Sequence, residues 1–186
     1  AADESIVRIF ERRKVQTMME WVYNDGGRSA AGYKGKCGDC VTRSVAIVSG
    51  LPYKEVYAAL AKGEGEAHKA KGKTARNGIH TRDKWFKEYM KSLGFVWVPT
   101  MRIGSGCTVH LNASELPAGK LIVKVTKHYT AVIDGVIHDT FNPSDRGCTV
   151  YGEHYFDVPP KGAVQLDNGQ WSYNPERCVY GYWHKP

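Results

Sequence analysis

Three residues of this chain could do chemistry together: Cys40, His128 and Asp139. Cys40 stands in Gly38-Asp39-Cys40, directly before the apolar run Val41 to Val48. A cysteine attacks as its thiolate, and a helix N-terminus favours that anion through its free N–H groups and its dipole. The same N–H groups can hold an oxyanion on a bound acyl group. Such a thiol needs a base, and the base needs a third group to orient it.

A register argument selects both. Ile133-Asp134-Gly135-Val136 reads as a two-residue hairpin, because Asp-Gly suits a type I′ turn. Residue 133 then pairs with 136, 130 with 139, and 128 with 141. Side chains alternate between faces along a strand, so His128, Thr130 and Asp139 share one face. Asp139 becomes a diagonal neighbour of His128, on the order of 7 Å away between backbone positions and within side-chain reach. His138 pairs with Ala131 on the opposite face. The pattern assigns Cys40 as nucleophile, His128 as general base and Asp139 as orienting carboxylate.

Cys37-Gly-Asp-Cys40 is also a Cys-x-x-Cys, the spacing of a redox pair or of half a zinc site. A redox pair belongs beside a parallel βαβ pattern, which the sequence lacks. A zinc site needs two more ligands at matching spacing. Cys107, Cys148, Cys178 and the histidines offer no second close pair, so no metal and no cofactor is expected.

The elements that must position these residues follow from periodicity. Residues 4–22 carry apolar side chains at mostly helical spacing and predict a helix or extended arm, broken by Asn24-Asp-Gly-Gly. With Asp39 as N-cap, Val41 to Val48 forms a short helix stopped by Gly50. A second helix starts at Leu51-Pro52-Tyr53 and uses Val56, Tyr57 and Leu60. Residues 62–78 read as a basic, Gly-rich loop containing Lys69, Lys71, Lys73 and Arg76. Thr81 to Leu93 reads as an amphipathic helix ended by Gly94. From residue 95 onward, β-branched and aromatic runs predict strands at 95–99, 121–126, 129–134, 136–139 and 179–184. Ile103-Gly-Ser-Gly-Cys-Thr reads as a turn rimming the cleft. Helices in front and an antiparallel sheet behind make an α+β fold in one domain, residues 1–186, with 1–30 as its N-terminal helix or arm.

The 186 residues, 42% hydrophobic and 24% charged, have the composition of a soluble globular protein with a core. No apolar run approaches the roughly 20 residues of a membrane span, and no signal peptide is visible. Five cysteines, an odd number, do not suggest a disulfide framework, so reduced thiols and a cytoplasmic location are expected. A net charge of +7 favours acidic partners, nucleic acid included, but the basic residues are dispersed apart from the 67–76 stretch, so an acidic protein is expected ahead of nucleic acid.

Gly38-Asp39-Cys40 opening an apolar helix, His128-Tyr-Thr-Ala-Val-Ile-Asp-Gly and Asp139-Thr together resemble the papain-like cysteine peptidase superfamily. Within it, the chain is similar to small C39-like peptidase-type proteins of phages and bacteria; order and spacing match from about residue 33 to residue 143. The resemblance implies a papain-like fold with N-terminal helices packed on a C-terminal antiparallel sheet. It implies a cysteine hydrolase, peptidase or isopeptidase, acting on a protein or peptide substrate through a thioester at Cys40, in the host cytoplasm if phage-encoded. Asn142 is implied as a second orienter. Family members commonly carry a Gln five or six residues before the Cys, to complete the oxyanion hole. Here Gly35 and Lys34 occupy those positions, so Lys34, Tyr33 or backbone N–H groups replace it, or the hole is incomplete. The alternative is a weak or inactive papain-like module that binds an acidic protein or nucleic acid through its basic surface. Deamidation, transglutamination and removal of a conjugated modifier would use the same acyl chemistry.

Overall fold

The computed structural model describes residues 18–68, 74–147, 149–160, 163–173 and 175–186. Most of the predicted N-terminal helix or arm lies outside them. Its described end is an arm: Trp21–Tyr23 forms strand β1.

Three helices follow. Helix α1, Cys40–Ser49, ends at Gly50, which takes the left-handed conformation at φ 76° and returns its N–H to the Ala46 carbonyl at 3.0 Å. Helix α2, Tyr53–His68, is longer than its sequence suggests and replaces the first part of the expected basic loop. Gly63 lies inside this helix for reasons of space. A Cβ on it would lie 2.3 Å from the Trp85 ring, so only glycine lets that indole lie on the helix. Helix α3, Lys84–Ser92, buries Phe86 and Met90 and follows its predicted periodicity.

The strands are β2 (Val96–Pro99), β3 (Lys120–Val125), β4 (His128–Ile133), β5 (Val136–Asp139) and β9 (Val179–His184). With β1 they form a six-stranded sheet ordered β1-β5-β4-β3-β9-β2. The sheet is mixed, not purely antiparallel as expected. Strand β1 runs parallel to β5, with Tyr23 opposite Asp139. Strands β6 (Thr149–Tyr151), β7 (Val164–Gln165) and β8 (Trp171–Tyr173) form a separate three-stranded sheet that the sequence did not announce.

Side-chain alternation splits the core into two layers. Ile122, Ala131 and Trp183 pack with Val45, Val56, Leu60, Phe86 and Met90 of the helices. Leu121, Val123, Val132, Ile137 and Val179 pack instead with Leu111, Leu116 and Met19. The helices therefore cover one face, and a loop with the N-terminal arm covers the other. Among the described residues no helix is long and apolar enough to cross a membrane.

Cys107 and Cys178 form a disulfide across 71 positions of sequence, correcting the expectation that all thiols are reduced. The backbone explains the pairing, because His110 bridges to Cys178 and Val179 donates its N–H to the Val109 carbonyl at 2.8 Å. Cys37 and Cys40 are free. The 103–108 turn beside that disulfide, expected to rim the cleft, is not part of its lining.

Candidate active site

The hairpin has the predicted register. Ile133 pairs with Val136 and Ala131 with His138. Asp134 and Gly135 sit at φ 48° and 81°, the two left-handed residues a type I′ turn requires. This turn sets His128 and Asp139 together, with His128 Nε2 2.7 Å from Asp139 Oδ2. Nδ1 is the ring nitrogen that Asp139 does not use, and Cys40 sits close enough to the ring that each group shifts the other's titration. Phe141 packs on that ring at a centroid distance of 4.9 Å and limits its rotation. The second oxygen of Asp139, Oδ1, accepts the Thr140 N–H at 2.7 Å. Trp21 Nε1 and the Asn24 N–H both donate to the Asp139 carbonyl at 3.0 Å, so the arm fixes Asp139 from behind.

Cys40 is the first residue of α1. Asp39 stands at the N-cap position but caps nothing with its side chain. Its carboxylate is 1% exposed and lies among Arg28, Arg43 and Tyr53. The first-turn amides of α1 thus keep no side-chain acceptor from their own cap and remain available to a ligand. Arg43, one turn into α1 and buried, contacts Asp39 and also reaches Asp139 Oδ1 at 3.5 Å. It ties the residue before Cys40 to the residue behind His128. Sequence reasoning missed Arg28, Arg43 and Tyr53. A signal existed for Arg43, a charged residue four positions after Asp39 inside an otherwise uncharged helix.

The electrostatics separate the two free thiols. Burial pushes the Cys40 thiol up, but the hydrogen bond and charge of His128, the Tyr129 N–H and Arg43 outweigh it and hold Cys40 below its ordinary value. Burial also lowers His128, yet Asp139 and Cys40 together raise it to about 9. The pair therefore favours thiolate and imidazolium. Asp139 is pushed up by burial and pulled lower overall by His128, Thr130 and the Thr140 N–H. Cys37 goes the other way, raised by burial and by its hydrogen bond to the Asp39 carboxylate. One Cys-x-x-Cys thus holds one activated and one quiet thiol.

A cleft of about 770 Å³ opens over Cys40 and His128. Its far wall is the 77–83 segment, and its charged lining residues include Arg82, Lys124 and Lys127 with a single carboxylate, Asp83.

Cys40, His128 and Asp139 are brought together; Lys34 and Asn142 are not. Lys34 is exposed, lies outside the cleft lining, and its carbonyl accepts from Arg28 Nη2 at 3.0 Å. Tyr33 packs on Tyr53 and Tyr57. Asn142 donates to the Met19 carbonyl at 3.2 Å and accepts from Ser144 N–H and hydroxyl, so it anchors the arm rather than His128. No protein-family model, curated protein or solved structure matches the chain.

Proposed function

We propose that this chain is a cysteine hydrolase of papain-like type, a peptidase or isopeptidase working through Cys40, His128 and Asp139. The observation that carries the reading is the thiol on His128 with Asp139 2.7 Å behind the ring, at the start of a helix whose cap is turned away. The Cys40 thiolate attacks the acyl carbon, and the N–H groups at the start of α1 hold the resulting oxyanion. His128 gives its proton to the departing amine, leaving a thioester on Cys40. His128 then takes a proton from water, which attacks the thioester and frees the acid and the thiol. Asp139 holds the ring and stabilises its charged form throughout.

These amides replace the family's glutamine donor, since neither Lys34 nor Tyr33 reaches the cleft. A hole lacking one donor can run on the order of 10²–10³-fold slower, which favours reactive acyl groups. The basic cleft lining favours acyl segments carrying Asp or Glu, and the same surface supports the alternative reading of an acidic-partner module. Cytoplasmic action suits a free thiolate at Cys40, whereas the Cys107–Cys178 bond would be reduced there.

The test is an activated-ester substrate followed by mass analysis of the intact protein. The expected result is an acyl group on Cys40 alone that water discharges and that Cys40→Ser abolishes. Acidic peptides held equally by wild type and Cys40→Ser, with no acyl-enzyme from any ester, would leave only the binding module.

A further inference from the structure

Behind the far wall of the cleft, a second set of side chains converges that the hydrolase reading does not use. Glu64 and His68 lie four residues apart on α2, and His80 returns to them from the cleft wall. The ligand atoms of Glu64, His68 and His80 lie within 4.8 Å of one another. The two imidazoles stack with centroids 3.9 Å apart. His80 Nδ1 contacts Glu64 Oε1, and the His80 N–H donates to Glu64 Oε2 at 3.1 Å. His68 Nε2 contacts Asp83 Oδ2.

We propose that Glu64, His68 and His80 form a site for a divalent transition-metal ion of the zinc class, with Asp83 bordering its fourth position. Burial and donor chemistry support a cation here. Glu64 is 2% exposed and sits on a helix that otherwise turns its charged residues outward. A buried carboxylate needs positive charge or several donors. The two imidazoles with the Glu64 and Asp83 carboxylates make a donor set that one divalent ion would hold together. Two imidazoles and a carboxylate also match the ligand preference of zinc and its neighbours over calcium or magnesium.

The placement gives the ion a role. His80, one of its ligands, and Asp83 are themselves in the cleft lining. Binding there pins the 77–83 wall to α2 without touching Cys40 or His128. The ion is structural, and its signature is stability and stoichiometry rather than turnover. A second cluster, His110, Glu115 and Glu176, does not carry the same argument. It has no buried carboxylate, since Glu115 and Glu176 are about a third exposed where Glu64 is nearly fully buried.

Zn²⁺ and Co²⁺ titrations of the chelator-treated full chain test this. Competing outcomes are binding at Cys37 and Cys40 or at the His110 cluster, so both need variants. We expect one equivalent bound by wild type, by Cys37→Ser/Cys40→Ser and by His110→Ala. Glu64→Gln and His80→Ala should lose it, with affinity down by at least 100-fold. Cobalt should give a visible spectrum without a thiolate charge-transfer band. Zinc at about a hundred times its Kd should raise Tm by roughly 5–10 °C in wild type, reversed by chelator and absent in Glu64→Gln. Glu64→Gln folding with an unchanged Tm in chelator shows that the loss is not misfolding. Absence of binding, a thiolate band, or binding that survives both Glu64→Gln and His80→Ala overturns the proposal.

Discussion

Two regions of the molecule contain the same chemical groups, a thiol, an imidazole and a carboxylate, and differ in everything that would make them reactive. One holds Cys40, His128 and Asp139; the other holds Cys107, Cys178, His110, Glu115 and Glu176. In the first, the thiol is free, and the histidine and carboxylate side chains are 9% and 4% exposed. In the second, both thiols are spent in a disulfide, and the histidine and its carboxylates are about a third exposed. Residue type therefore does not make a site here. Burial raises the value of each charge contact, and a hairpin plus a helix start fix the partners before any substrate arrives.

The largest difference should appear in thiol reactivity. A small electrophile should label Cys40 well ahead of Cys37, and His128→Ala should slow that labelling by roughly 10²–10⁴-fold. Peptide mapping of the labelled protein reads both effects. The pH profile sharpens the point. Cys40 is held below its ordinary 9.0 and Cys37 above it, so Cys40 labelling should persist to lower pH than Cys37 labelling. Hydrolysis should fall as pH rises through about 9, where His128 loses the proton it must deliver. The same raised value makes a stability contribution that is complete below the ordinary 6.5 and lost as pH passes through about 9. Equal labelling of Cys37 and Cys40 would erase the contrast between activated and quiet thiols.

Arg43 tests whether the buried site is held by its charges. Arg43→Met keeps much of the volume and removes the guanidinium between Asp39 and Asp139. Breaking a buried pair in this way costs about 3–5 kcal/mol. Denaturant unfolding should show that loss, together with slower Cys40 labelling, because Asp139 loses a neighbour that fixes it. A variant as stable as wild type would mean that Arg28 and Tyr53 alone satisfy Asp39.

The hairpin, and with it the His128–Asp139 partnership, was legible because Asp134-Gly135 dictates both turn and register. Helix α1 was legible from its apolar run and Gly50. The missing parts share a physical reason, since each is set by a distant partner. Helix α2 continues through Gly63 because Trp85, 22 positions later, needs the room. Strand β1 exists because its backbone finds the edge of β5. The Asp39–Arg28–Tyr53 contacts join three separate stretches, so Asp39 read as a cap when its carboxylate is a hub. His68 and His80 looked scattered because the segment between them separates in sequence what the fold brings together.

The disulfide-tied region yields smaller and differently shaped effects. Reducing Cys107–Cys178, or replacing both by serine, removes a 71-residue cross-link and should cost about 2–4 kcal/mol of stability. Cys40 labelling below the new transition should be unchanged, because no residue of that corner lines the cleft. A parallel loss of labelling would mean that the corner supports the active region through the sheet, since β9 carries Val179 next to Cys178 and pairs with β3.

His110→Ala should produce the smallest change, and the reason is what the two regions teach together. His110 lies near Glu115 at 3.1 Å and Glu176 at 3.8 Å, a constellation that resembles the buried one on paper. Solvent screens these contacts, and exposed pairs of this kind contribute less than about 1 kcal/mol. The carboxylates also keep other donors after the substitution: Glu115 retains the backbone N–H of residue 110 at 2.7 Å, and Glu176 retains Asn112 Nδ2 at 2.9 Å. Unfolding should therefore shift within that limit and Cys40 labelling should not move, while His128→Ala changes labelling by orders of magnitude. A loss above about 2 kcal/mol at His110 would mean that the exposed cluster is organised as tightly as the buried one, and burial would no longer explain why only one of them holds a reactive thiol.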